Sequence, residues 1–172
     1  MKQLVPFTFN VSLRGVPVSK QPNMQETEDE PPVIRASLVL RQFGEDPDEI
    51  SRILGLLPAR SGRRGDRHRN VLGRETGRIV PKTYWALNSQ AGSRDPLETQ
   101  IASILEQVRD VRSAFDHLPP GTEVSLRCTV IPNGDLPLFQ VGSQQMYELG
   151  AIGASLEIDI ISVGAEPVEA TT

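Results

Sequence analysis

Thiol chemistry has almost nowhere to start in this chain, whose 172 residues include one cysteine, Cys128. An internal disulfide is excluded, and a lone free thiol fits a reducing compartment. Histidine is nearly as scarce. Neither His68 nor His117 stands at metal-ligand spacing from the cysteine or from the other, so a structural zinc site has no basis. No Gly-x-Gly-x-x-Gly run or P-loop is present, which leaves nucleotide-fold chemistry without support. We expect no cofactor and no metal. Aromatic residues make up only 5% of the chain, so aliphatic side chains must build the core. No apolar run approaches the ~18 residues that a bilayer span needs. The opening Met1-Lys2-Gln3-Leu4-Val5-Pro6 lacks the uninterrupted apolar stretch of a signal peptide. The expectation is a cytoplasmic protein without membrane contact.

What is present suits one folded domain with appendages. Hydrophobic residues account for 38% and charged residues for 23%, enough apolar material for a core and too much for a wholly disordered chain. Charge is unevenly spread. Residues 60–82 carry Arg60, Arg63, Arg64, Arg67, Arg69, Arg74, Arg78 and Lys82 against Asp66 and Glu75, a net charge of +6. The whole chain carries −4, so the remainder carries −10.

Val5, Phe7, Phe9, Val11 and Leu13 alternate with polar residues, which predicts a half-buried strand within an N-terminal segment 1–19. Residues 20–32 read as an acidic linker closed by Pro31-Pro32. A single α+β domain then spans 33–163, and 164–172 reads as a loose tail. Its first strand, at about 33–43, puts Ile34, Ala36, Leu38 and Leu40 on one face and Arg35, Ser37, Val39 and Arg41 on the other. Asp46-Pro47-Asp48-Glu49 opens a short helix that Gly55 ends. Residues 58–82, with several glycines and few apolar residues, read as a long basic loop rather than an element.

A strand follows around Trp85 and Leu87. Asp95-Pro96-Leu97-Glu98 repeats the earlier start signal, a hint of internal duplication, and opens a long helix reaching Leu118. Residues 123–131 alternate again, with Cys128 in phase with Val124, Leu126 and Val130. That phase makes Cys128 a small core residue rather than a nucleophile. Asn133-Gly134 marks a tight turn before a short strand at 138–141. Ser143 caps a helix bearing Met146, Leu149 and Ile152, and a last strand fills 155–163. From residue 83 the elements run βαββαβ, the order of a ferredoxin-like split unit. The fold class is therefore α+β: two layers, a mostly antiparallel sheet, and helices on one face. On the wet face, Arg35, Arg41 and Arg127 can pair with Glu157 and Asp159 across strands.

Several motifs in order carry a resemblance. They are the strand into Asp46-Pro47-Asp48-Glu49-Ile50, then Gly55-Leu56-Leu57-Pro58-Ala59-Arg60 running on to Gly65-Asp66. Trp85-Ala86-Leu87 and Asp95-Pro96-Leu97-Glu98 with its long helix come next. The ending is Leu149-Gly150-Ala151-Ile152-Gly153-Ala154-Ser155-Leu156-Glu157-Ile158-Asp159-Ile160. Over about residues 34–163 the chain resembles a bacterial family catalogued as domain of unknown function 4279. The resemblance implies a stand-alone α+β domain, with Pro58, Arg60, Gly65, Asp66 and Trp85 in its most characteristic stretch. It supplies no reaction, cofactor or catalytic residue.

The remaining chemistry has plain structural readings. Asp46, Asp48 and Glu49 stand at helix-capping spacing, and His117 is a cation at a negative helix end. No catalytic residue is assigned. The candidate binding residues are Arg60, Arg63, Arg64, Asp66, Arg67, His68, Arg69 and Trp85, because arginine forks hold anions bidentately and glycines permit close approach. The leading expectation is a non-enzymatic interaction domain that binds a protein partner through 58–82 and the exposed sheet face. Small bacterial α+β proteins that act as immunity proteins are the analogy. Nucleic acid or another polyanion is the alternative partner for the same arginines. An enzyme built around Arg60, Asp66 and Trp85 is the third reading, and it requires those side chains to converge. The sequence carries no signal for oligomeric state.

Overall fold

Alternation decides which way the central strand faces. In β2 (Val33–Arg41), Ile34, Ala36, Leu38 and Leu40 are buried while Arg35 is exposed, as period two requires of a sheet covered on one face. The computed structural model describes residues 8–14, 31–44, 46–69, 75–133 and 137–161. The expected linker core 20–30, the turn at Gly134 and the tail 164–172 lie outside the described residues, as does the expected strand's start at 4–7.

Among the described residues there are eight strands and three α-helices. After β1 (Phe9–Arg14) and β2 come α1 (Pro47–Leu54), β3 (Arg60–Gly62), β4 (Arg67–Arg69), β5 (Glu75–Ile79) and β6 (Tyr84–Asn88). Then follow α2 (Leu97–Val108), a 3-10 helix (Arg109–His117), β7 (Glu123–Ile131), α3 (Ser143–Ala151) and β8 (Ser155–Ile161). Six strands form one sheet in the order β1-β8-β7-β2-β6-β3, and β4 pairs with β5 as a separate hairpin. Antiparallel pairing joins β7 to β2, β2 to β6 and β6 to β3. The pairs β1–β8 and β7–β8 are parallel. The fold is α+β, mostly antiparallel, with the helices gathered on one face.

The core lies between that face and the helices. Leu38, Trp85, Leu126, Cys128, Leu156 and Ile158 from the sheet meet Ile50 and Leu54 of α1, Ile101, Ile104 and Val108 of α2, and Leu149 of α3. Fully burying each such aliphatic side chain contributes about 1.5–3 kcal/mol. Trp85 is fully buried, and its indole N–H donates to Ser51 Oγ at 3.0 Å. That bond satisfies the one polar atom of the largest core side chain.

Local signals explain the helix ends unevenly. Asp46 Oδ1 accepts from the Asp48 backbone N–H at 3.1 Å, Pro47 takes the first helical position, and Gly55 closes α1 at φ 65°. The second Asp-Pro pair behaves differently. Pro96, not Asp95, is the N-cap residue of α2, and Asp95 Oδ2 instead accepts from Gly92 N–H at 2.7 Å. The shared letters therefore do not produce a shared cap, and they give the expected duplication no support. Gly142, one residue before the expected Ser143, is the N-cap of α3.

Three expectations are corrected. The long helix to Leu118 is an α-helix only to Val108, and the rest winds as a 3-10 helix that still buries Phe115. No strand forms at 138–141, so the elements from β6 run βαβαβ rather than βαββαβ. The physical reason is occupancy: β7 is already flanked by β2 and β8, and Leu138 is 97% exposed. Residues 58–82 are not one loop, since β3, β4 and β5 fall within them. The expected N-terminal strand forms as β1 and adds to the sheet edge, with Val11 opposite Ile158.

Candidate functional site

The face away from the helices is floored by polar side chains. Across the ladder Ser37 stands beside Arg127 on β7 and Asn88 on β6, and Arg41 stands beside Glu123 and Tyr84. Farther along, Val39 meets Ala86, which in turn meets Arg60 of the edge strand β3. Ser37 Oγ donates to Asn88 Oδ1 at 2.8 Å. Arg127 Nε donates to Glu157 Oε2 at 2.9 Å, the cross-strand pair the alternation predicted.

The β4–β5 hairpin stands against this floor. Its base is fixed by Val80, 3% exposed, whose N–H donates to Asp66 O at 2.8 Å, while Gly65 N–H donates to Val80 O at 2.9 Å. Gly65, at φ 92°, makes the preceding turn. The Asp66 carboxylate accepts from Arg63 N–H at 3.3 Å and so belongs to the same turn. Above the base, every residue of β5 is exposed. A two-stranded ribbon without a buried face is marginal in isolation, so the anchorage at Val80 and the pair Arg67–Glu75, at 2.9 Å, hold the arm. His68 Nδ1 lies 3.2 Å from Thr76 Oγ1 across the two strands.

Together, floor and hairpin enclose an open trough of about 1370 Å³. Arg35, Arg41, Arg60, Arg67 and Arg127 line it, with Asp66 and Glu75 as its lining carboxylates. Tyr84 is its aromatic residue, lying close over Gly62: a Cβ at that glycine would fall 2.8 Å from Tyr84 Cε1.

The arginines divide by what already holds them. Arg127 is bonded to Glu157 and Arg67 to Glu75, while Arg63 pairs with Asp46 outside the trough. Among the described residues, no hydrogen bond or ion pair ties up Arg35, Arg41 or Arg60. Burial, with Arg127 close by, lowers the Arg41 pKa from its usual value, and Glu157 and Glu123 oppose that effect. Arginine keeps its charge regardless, so Arg41 is a partly desolvated cation set between the Arg127 guanidinium and the carboxylates of Glu157 and Glu123.

The structure sorts the expected binding residues accordingly. Arg60, Asp66, Arg67 and His68 line the trough. Arg63 braces α1. Arg64 is exposed, and its backbone N–H donates to Thr83 Oγ1 at 3.2 Å. Arg69 closes β4. Trp85 is in the core: Ser61 is its ladder partner, and its ring lies on the helix side while Arg60 lies on the open side. The convergence of Arg60 with Trp85 that the enzyme reading requires is therefore absent. Cys128 is also buried there, which pushes its thiol up to about 12. Among the described residues, no three His, Cys, Asp or Glu side chains gather to hold a metal. Sequence reasoning did not place Arg35 and Arg41 among the candidate binding residues, although both line the trough. The signal was their place on the polar face of β2, which was read as internal pairing.

No helix among the described residues is long and apolar enough to cross a membrane. No curated protein and no solved structure matches the chain significantly. A family profile described as a domain of unknown function, DUF4279, matches residues 32–163, which takes in every element from β2 to β8 and excludes β1. The chain belongs to the DUF4279 family.

Proposed function

We propose that this protein is a non-enzymatic, cytoplasmic interaction module that binds a protein partner in the trough between the open sheet face and the β4–β5 hairpin. The observation that carries this reading is the trough itself, about 1370 Å³ and open along the sheet. Small-molecule sites usually run about 300–1,000 Å³ and are mostly apolar, whereas this surface is larger, mixed in polarity and rich in arginine. Arginine is enriched at protein interfaces because its planar fork gives directed bonds at little desolvation cost. The single buried thiol accords with a reducing compartment.

Site-specific photo-crosslinking tests the reading. A photoreactive residue replaces Ser37 or Asn88 on the floor, or Ala102 on the exposed side of α2 as a control. Discrete protein adducts formed in an extract of the source cells from the floor positions, and not from Ala102, are the expected result. Adducts from Ala102 alone would contradict it.

Nucleic acid through the same arginines is the second reading, favoured by the number of arginines in and beside the trough. Co-purification of the chain with nucleic acid that salt strips away would support it.

A further inference from the structure

We infer that the trough's occupant is an extended acidic peptide segment of the partner, read by Arg35, Arg41 and Arg60. The inference rests on the binding reading above and names its chemistry. These three are the lining arginines that make no hydrogen bond or ion pair among the described residues, with Glu123 and Glu157 near Arg41 but not bonded to it. Their spacing follows from the ladder. Arg35 and Arg41 are six residues apart on β2, about 20 Å at ~3.3 Å per residue. Arg60 stands opposite Ala86, which stands opposite Val39. It is therefore two strand spacings to the side, about 10 Å.

A span of that length fits a run of extended chain. Side chains on one side of such a chain recur about every 6.6 Å, so acids at alternating positions meet Arg35 and Arg41 at whole repeats, with Arg60 reached from the flank. The polar floor supplies further groups suited to a peptide backbone, in Ser37, Asn88 and Thr129.

Two features favour a peptide over a nucleic acid strand. Sequence-tolerant strand binding uses several aromatic platforms, and among the described residues the trough is lined by Tyr84 and the His68 imidazole only. Asp66 and Glu75 also face the trough. Their carboxylates repel an unbroken row of phosphates, whereas a peptide can place neutral or basic residues against them.

The test is fluorescence anisotropy with the full chain and labelled probes of about ten residues, long enough to cover the trough at ~3.3 Å per residue. The probes are an alternating Glu-Thr peptide, an isomer with all Glu in one block, an alternating Lys-Thr peptide, and a thymidine oligonucleotide. Proteins are the native chain, Arg60→Ser, Arg60→Glu and Arg63→Ser. Arg60 is exposed, so its replacements test binding without emptying the core. The expected result is tightest binding of the alternating acidic peptide. Arg60→Ser should weaken it about fivefold and Arg60→Glu more than about tenfold, as charge-assisted bonds imply. Arg63→Ser should stay within about twofold, as a weak surface pair outside the trough implies. Equal binding of the block isomer, or tighter binding of the oligonucleotide, overturns the inference. If no acidic peptide binds while crosslinks still form from Ser37 and Asn88, the peptide class is wrong and the binding reading stands. If the crosslinks fail as well, both fall.

Discussion

Arg63 and the helix cap of α1 share one carboxylate: Asp46 holds the Asp48 N–H with Oδ1 and the Arg63 guanidinium with Oδ2. The basic segment is thus tied to the helix layer by an arginine that the sequence offers as a ligand contact. Losing an N-cap side chain costs about 1 kcal/mol, and an exposed ion pair contributes at most about that and often less. Urea unfolding is expected to show Asp46→Ala about 1 kcal/mol less stable than the native chain. Arg63→Ser should lie within about 0.5 kcal/mol of native.

The Trp85 indole depends on Ser51 for its one hydrogen bond. Ser51→Ala leaves a buried donor unpaired and should cost about 1–3 kcal/mol. Denaturant unfolding followed by Trp85 fluorescence reads that loss directly, because this is the chain's only tryptophan. A cost near zero would mean that another acceptor or water reaches the indole.

Gly62 is needed for the space above it, not for its backbone angle. A methyl there meets the Tyr84 ring at 2.8 Å and Val80 at 3.3 Å. Gly62→Ala should therefore displace Tyr84 and loosen the base of the hairpin, at about 1–3 kcal/mol. Tyrosine ring resonances and faster amide exchange at Val80 report it.

Cys128 gives a pH dependence with a defined sign. Burial raises its thiol from an ordinary 9.0 to about 12. As pH rises past 9 the unfolded chain releases this proton while the folded chain keeps it, so folding loses stability across that window. Between pH 9 and 12 the native chain should lose stability faster than Cys128→Ala, measured by urea midpoints. At neutral pH a thiol reagent should label Cys128 only after unfolding. Parallel midpoints for the two chains would place the thiol in contact with solvent.

Much of this architecture was legible because burial on one face writes itself into the sequence. Alternation in Ile34–Leu40 and in Val124–Val130 identified β2 and β7, and Asp46, Pro47 and Gly55 marked both ends of α1. The hairpin left no such trace. With Glu75–Ile79 exposed at every position, neither face selects apolar residues, and the period that signals a strand is missing. Leu138–Val141 failed in the opposite sense: its residues suit a strand, but β7 has no free edge for it. The site was half visible. Arg60 and Asp66, which line the trough, stood out in the sequence, while Arg35 and Arg41 were hidden by an equally good structural use. Only the ladder shows that Glu157 is taken by Arg127.

The central claim is that the helix-free face is the recognition surface. Amide chemical-shift mapping of the isotope-labelled chain during titration with the alternating acidic peptide tests it most directly. The account predicts shifts concentrated at Arg35–Arg41, at Arg60 and at Tyr84–Asn88, with α2 and α3 unmoved. Saturable shifts confined to the helices, with the strand amides unchanged, would contradict it.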